Sequence, residues 1–264
     1  MDLGLTEKVV VVSGGAKGIG RACVESFRNE SARVLFLDRD QAAGDALLSF
    51  LGTEDASFFC GDLTDPRNCE KAIETAVNRW GRIDVLVNNA GFNDGVSLER
   101  SPLEFDTSVQ SNLSHVYALT HYAVQEIKKV KGCVVNLGSK VSVTGQGATS
   151  GYAAAKGAVT ALTREWAAAL ASEEVRVNAV LPAECDTDQY RHWFNTLADP
   201  EGVRKSIEGL IPLGRRMTTP RELADTIVFL SSSRASHTTG QILFVDGGYT
   251  HLDRALSSQH EKWS

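Results

Sequence analysis

The chain has 264 residues, is 42% hydrophobic and 23% charged, and carries a formal net charge of −6. That acidic balance gives no footprint for nucleic acid, no apolar run approaches the ~18 residues of a membrane span, and Met1 to Glu7 contain neither the basic nor the apolar region of a signal peptide. The cysteines at 23, 60, 69, 133 and 185 are odd in number, scattered and free of C-x-x-C spacing, which argues against zinc and a disulfide framework and for a reducing, cytoplasmic setting.

Val9 to Val12 is a β-branched run, too apolar for a half-exposed strand and suited to a buried parallel one. Ser13-Gly14-Gly15-Ala16-Lys17-Gly18-Ile19-Gly20 follows, then a helical pattern to about Asn29 and a second strand, Arg33 to Leu37, ending at Asp38. The alternation continues with a helix from Gln41 to Leu51, a strand from Ala56 to Cys60, a helix from Pro66 to Trp80 and a strand from Asp84 to Val87. Asn88-Asn89-Ala90-Gly91 comes next. Ser101, with Pro102 after it and Glu104 three on, reads as the cap of a long helical region reaching about Val130. Gly132 to Leu137, Val175 to Leu181 and Gln241 to Val245 read as strands, and Gly151 to Ala171 and Arg221 to Ser231 as helices. Such alternation predicts an α/β fold with a doubly wound, seven-stranded parallel sheet flanked by helices. No repeat, linker or boundary divides residues 1–264, so one domain is expected, with a polar insertion at about 183–216 that holds one or two short helices.

The glycine turn has the setting that dinucleotide binding requires. It follows a strand and opens a helix, and an acid lies 18 residues beyond Gly20. Gly14 makes the tight turn, while Gly18 and Gly20 let the backbone approach a pyrophosphate at the helix start. Asp38 can accept from the ribose hydroxyls of NAD and would repel the 2′-phosphate of NADP. Lys17 and Arg39 could reach such a phosphate, so NAD is preferred and NADP stays possible. Tyr152 and Lys156 are four apart and share a helix face. That spacing alone is more often structural. Beside a hydride carrier, however, a phenol whose proton affinity is lowered by an ammonium, with Ser139 on a loop, makes an acid/base centre for alcohol–carbonyl interconversion.

These motifs resemble the short-chain dehydrogenase/reductase family over essentially the full chain. Residues 13–20 match its T-G-x-x-x-G-x-G, with Ser13 for Thr, and residues 88–91 match its N-N-A-G. Ser139 and Tyr152-Ala153-Ala154-Ala155-Lys156 match its Ser and Y-x-x-x-K, and Asn112 its helix asparagine. The resemblance implies a single-domain Rossmann fold and an NAD(P)-dependent oxidoreductase. Tyr152 is then the general acid/base, and Lys156 lowers its pKa and binds the nicotinamide ribose. Ser139 orients the substrate oxygen, and Asn112 holds a relay water. Gly14, Lys17, Gly18, Ile19, Gly20, Asp38, Arg39, Asp62, Leu63, Asn89, Ala90, Gly91, Pro182 and Thr187 line the cofactor. Ala183 replaces the family's glycine after Pro182, which leaves Glu184 free to project into the substrate site.

Three further stretches, Val143 to Gly147, Leu213 to Arg216 and Val245 to Leu256, resemble the L-fucose dehydrogenase branch of that family, which oxidises an aldose at C1 to the lactone. On that reading Asn93, Gln146 and Glu184 join Ser139 and Tyr152 around a sugar, with Asp94, Lys140, Tyr190, His192 and Trp193 as further candidates. Plainer roles are open: Lys140 pointing to solvent, Asn93-Asp94-Gly95 as a turn, Tyr190 and Trp193 packing the insertion, and His192 as a surface residue. No metal is expected. The alternatives are a reductase of 3-oxoacyl thioesters or another secondary-alcohol dehydrogenase, and, in a different class, a non-catalytic dinucleotide-binding protein. The alanines of the helix from Gly151, by resemblance, pair it with a second subunit in a homotetramer or homodimer. Leu252 and Leu256 of the tail either dock on that neighbour or fray.

Overall fold

The computed structural model describes residues 2–253. Seven strands, β1 (Val9–Ser13), β2 (Arg33–Asp38), β3 (Ala56–Cys60), β4 (Val85–Asn88), β5 (Cys133–Leu137), β6 (Arg176–Pro182) and β7 (Ile242–Val245), form one sheet in the order β3-β2-β1-β4-β5-β6-β7. Each pairing is parallel. The helices are α1 (Gly18–Asn29), α2 (Gln41–Leu51), α3 (Pro66–Trp80), α4 (Pro102–Val109), α5 (His115–Lys129), α6 (Ser150–Leu170), α7 (Asp188–Phe194), α8 (Pro200–Gly209) and α9 (Pro220–Ser231).

The unbroken apolar strands make sense once both faces are covered. Successive side chains of β1 enter opposite cores. Val10 and Val12 join Phe27 of α1, Phe36 of β2 and Leu223 of α9 on one face. Val9 and Val11 join Ile73 of α3 and Leu119 and Ile127 of α5 on the other. Burying each such side chain contributes about 1.5–3 kcal/mol. Because β1 lies between β2 and β4, the chain winds outward in both directions from it. A crevice therefore opens at the carboxyl ends of β1 and β4, where such sheets bind ligands.

The helix starts follow local chemistry. Asp40, Asp65, Ser101, Thr187, Asp199 and Thr219 each cap a helix through a side-chain oxygen, and Ser101 with Glu104 completes the expected capping box. Lys17, the residue before α1, supplies no such cap.

One segment differs from the sequence expectation. The helical region after Ser101 is not one α-helix: a π-helical turn, Gln110–Ser114, separates α4 from α5 and contains Asn112. Such turns frequently mark functional sites. The 183–216 insertion carries two helices, α7 and α8, over a small core of its own, Phe194, Ile211 and Met217, with Tyr190 and Tyr249 packed against it. Arg254, Ala255 and Leu256 of the tail lie outside the described residues, so the docking expected of Leu256 has no structural counterpart here.

Candidate active site

The loop after β1 is bound to the loop after β4. The Ser13 hydroxyl accepts from the Asn89 and Ala90 amides at 3.0 and 3.1 Å. The Asn89 side chain donates to the Ser13 and Gly14 carbonyls at 2.8 and 3.0 Å. Gly20 has no alternative: an added Cβ would lie 2.0 Å from the Gly14 carbonyl oxygen. Gly18 sits at φ +53, and its open side faces Thr187, whose methyl would be 3.5 Å from such a Cβ. Ile19 is half-buried against the α1–α9 core. The first turn of α1, uncapped, thus opens on a cleft whose far wall is Thr187, at the start of α7 just beyond Pro182.

Asp38 stands at the end of β2. Its carboxylate accepts from the Ala16 and Asp40 amides, both at 3.1 Å, which fixes it at the rim and leaves lone pairs for a ligand. The Lys17 ammonium pairs with Asp40, which raises its pKa. The Arg39 guanidinium lies 5.5 Å from the Phe92 ring centroid. Asp62 is exposed and held below the usual carboxylate range by the amide and then the hydroxyl of Thr64, while Leu63 is buried beside it. These residues suit an extended dinucleotide: an uncapped helix start for a pyrophosphate, a fixed carboxylate for a ribose, and Asp62 and Leu63 beyond it.

The acid/base residues gather at the next strand ends. Ser139 closes the end of β5 and caps a short turn, Lys140–Ser142, accepting from the Val141 amide at 3.4 Å. Tyr152 and Lys156 stand on the first turns of α6. Lys156 Nζ donates to the Leu137 carbonyl at 2.8 Å and lies 5.7 Å from the Tyr152 ring centroid. Burial governs both groups, pushing the Tyr152 phenol up to about 12, against a hydrogen bond from Ser139, and the Lys156 ammonium down to about 8. The expected lowering of the phenol by the ammonium is therefore absent in the chain alone. Nζ rests over the ring face and on a carbonyl, and desolvation outweighs attraction.

Asn112 is buried in the π-helical turn and already engaged. Its Oδ1 accepts from the Phe92 amide at 2.8 Å, and its Nδ2 donates to the Ser108 carbonyl at 3.0 Å. A Cβ on Gly91 would meet Asn112 Oδ1 at 3.1 Å and Lys156 Nζ at 3.3 Å, so the N-N-A-G loop, the asparagine and the lysine converge. His115 was missed in the sequence. It is buried, its Nε2 lies 3.0 Å from the Ala90 carbonyl, and burial, then Lys156, push its pKa down to about 4. Its signal was its place three residues after Asn112, on the same helix face.

The substrate candidates divide. Asn93 Oδ1 accepts from the Gly95 amide at 3.1 Å, as in a turn, while Asp94 accepts from Ser108 at 2.9 Å. Gln146 is exposed in the loop between Ser139 and α6. Glu184 does not project freely into the site. It is buried, paired with Lys140, and accepts from the Tyr190 hydroxyl. Lys140, accordingly, is buried rather than solvent-facing. Trp193 packs edge-on to Tyr190 at 5.6 Å and keeps 43% of its surface, while His192 is exposed.

Among the described residues no cluster could hold a metal ion, and no helix is long and apolar enough to cross a membrane. A cavity of about 540 Å³ lies at the amino ends of the strands, lined by Lys8, Asp84 and Arg176 among others, away from this chemistry.

Residues 14–250 match the family model described as Enoyl-(Acyl carrier protein) reductase. The chain is 38% identical to L-fucose dehydrogenase of Rattus norvegicus over 91% of this chain and 88% of that one. It is 35% identical to the 3-oxoacyl-(acyl-carrier-protein) reductase FabG of Thermotoga maritima over 92% and 98%. Among solved structures it is similar to the Cj0485 dehydrogenase, at 42% identity and a TM-score of 0.92 over 97% and 98% of the two chains. It is also similar to the aldohexose dehydrogenase of Thermoplasma acidophilum, at 30% identity and 0.87 over 96% and 98%.

Proposed function

The chain belongs to the short-chain dehydrogenase/reductase family, oxidoreductases that act on CH–OH groups with a nicotinamide dinucleotide, and from that premise we propose that it oxidises an aldose such as L-fucose at C1 to the lactone, with NAD as acceptor. The observation that carries the reading is that Ser139, Tyr152 and Lys156 lie at the same, carboxyl end of the sheet as the uncapped start of α1 and the fixed carboxylate of Asp38.

Gly14, Gly18, Ile19 and Gly20 would pass the pyrophosphate along the α1 start, with Asp38 on a ribose and Asp62, Leu63, Asn89, Ala90 and Gly91 along the adenosine half. Pro182 and Thr187 would border the nicotinamide end. Bound there, the dinucleotide supplies a hydride acceptor. Ser139 would hold the reacting oxygen by a hydrogen bond, and Tyr152, ionised to the phenolate in the loaded site against its raised pKa in the chain alone, would accept the hydroxyl proton as the C–H bond gives up its hydride. Lys156 would pass that proton on to solvent through the relay water expected at Asn112. Acid/base assistance of this kind contributes roughly 10²–10⁴-fold.

NAD is favoured over NADP because Asp38 would repel a 2′-phosphate, while Lys17 is drawn away to Asp40. The aldose reading is supported by likeness to two sugar dehydrogenases, and Gln146 and Trp193 are exposed groups able to bond to or stack on a sugar. Similarity to FabG at nearly the same identity favours a second reading, reduction of a 3-oxoacyl thioester. We place the enzyme in the cytoplasm as a homodimer or homotetramer, with Tyr117, His121 and Trp166 forming an aromatic patch on α5 and α6 that a second subunit could cover. The test is a panel of aldoses and secondary alcohols with NAD, followed by NADH absorbance, beside acetoacetyl thioester with NADPH. Turnover of the thioester and of no aldose would reverse the assignment.

A further inference from the structure

Lys140 follows Ser139 directly, yet its side chain turns away from solvent and is 6% exposed. It meets Glu184, 7% exposed, which lies two residues beyond the end of β6. The second oxygen of Glu184 accepts from the Tyr190 hydroxyl on α7. The Lys140 ammonium also lies 4.3 Å from the ring centroid of Tyr249, which follows β7. One buried charge pair therefore gathers the segments that leave β5, β6 and β7, together with the helix that begins at Thr187.

The turn that carries Lys140 is stiff. The Ser139 carbonyl accepts from the Ser142 amide at 3.1 Å and its hydroxyl at 2.8 Å. The Lys140 carbonyl accepts from the Val143 and Thr144 amides, both at 2.9 Å. An anchor on the Lys140 side chain is thus transmitted to the Ser139 Cα, one peptide away. Glu184 is anchored in turn, its carbonyl accepting from the Thr218 amide at 3.0 Å.

We propose that Lys140 is a positioning residue: locked to Glu184, it sets the place of the Ser139 hydroxyl and ties it to α7, so that turnover depends on an ion pair that touches no reacting atom. The proposal rests on the reading of Ser139 as the group that holds the substrate oxygen. Removing one partner leaves a buried charge uncompensated, whereas removing both leaves none. The single variants are therefore the more disruptive, and the double variant keeps a neutral, packed site.

The experiment measures kcat, KM and NAD affinity for Lys140→Met, Glu184→Gln, the double variant, Lys140→Arg and Ser139→Ala, using whichever aldose or secondary alcohol the wild type turns over fastest. A misplacement near 1 Å costs on the order of 10²-fold, so kcat falls by about 10–100-fold in each single ion-pair variant while NAD affinity is kept. The double variant recovers part of that loss, and Lys140→Arg recovers part of it by keeping the charge. Wild-type kcat in Lys140→Met, or losses of kcat and NAD affinity that only follow the folded fraction in both the single and double variants, would overturn the role of Lys140. Ser139→Ala separates the two layers. If it keeps wild-type kcat, the underlying reading of Ser139 fails. If it loses kcat while Lys140→Met does not, the positioning role alone fails.

Discussion

Lys156→Met should make the protein more stable and inactive. Lys156 is 2% exposed, and burial lowers its ammonium pKa from 10.5 to about 8. That fall costs the fold about 3 kcal/mol wherever both folded and unfolded chains keep the ammonium charged. Methionine keeps the apolar stem and gives up the hydrogen bond to the Leu137 carbonyl, worth about 1 kcal/mol. A net gain of about 2 kcal/mol at pH 7 is expected. The sign then follows from linkage. Between about 8 and 10.5 the unfolded chain binds the proton that the folded chain has released, so wild-type stability rises with pH across that window. The advantage of the variant should shrink by about 2–3 kcal/mol between pH 7 and pH 10. Urea denaturation of both proteins at the two pH values measures it, and the comparison cancels other titrations. A variant less stable than wild type at pH 7, or a difference that does not move with pH, would refute the argument that burial dominates this lysine.

Tyr152→Phe should keep NAD affinity and lose turnover by roughly 10²–10⁴-fold, read from NADH formation beside a binding titration; near-normal turnover would remove Tyr152 from the acid/base role. Asp38→Asn should raise the ratio of kcat/KM for NADP over NAD by about tenfold, about 1.4 kcal/mol of relieved repulsion, and an unchanged ratio would mean that Asp38 does not set cofactor choice. His115, with its pKa pushed down to about 4 from 6.5, contributes stability that is full above 6.5 and lost as pH falls towards 4. Wild type should therefore lose about 3 kcal/mol relative to His115→Gln between pH 7 and pH 4, and parallel acid curves would contradict it.

The central strands were legible because they are buried on both faces, so β1 is a plain run of valines and not an alternation. The capping box at Ser101 was legible because its partners are three residues apart. The cofactor rim was legible for the same local reason, since Gly18, Gly20 and Asp38 lie within one βαβ unit. The π-helical turn at Gln110–Ser114 was not, because its sequence carries no helix breaker, and Asn112 within it reaches across the fold to the Phe92 amide. Whether the Asn93 oxygen serves the turn at Gly95 was not legible either, because it hangs on where that side chain points.

Ser139, Tyr152 and Lys156 could be found from the sequence because one strand end and one helix start present them, and spacing along regular elements is a local property. Their state was decided by the tertiary structure. Desolvation comes from everything packed around a group, and it set the phenol up to about 12 and the ammonium down to about 8. The pairing of Lys140 with Glu184 was decided there too. Its partners are 44 residues apart and meet only because β5 and β6 lie side by side in the sheet.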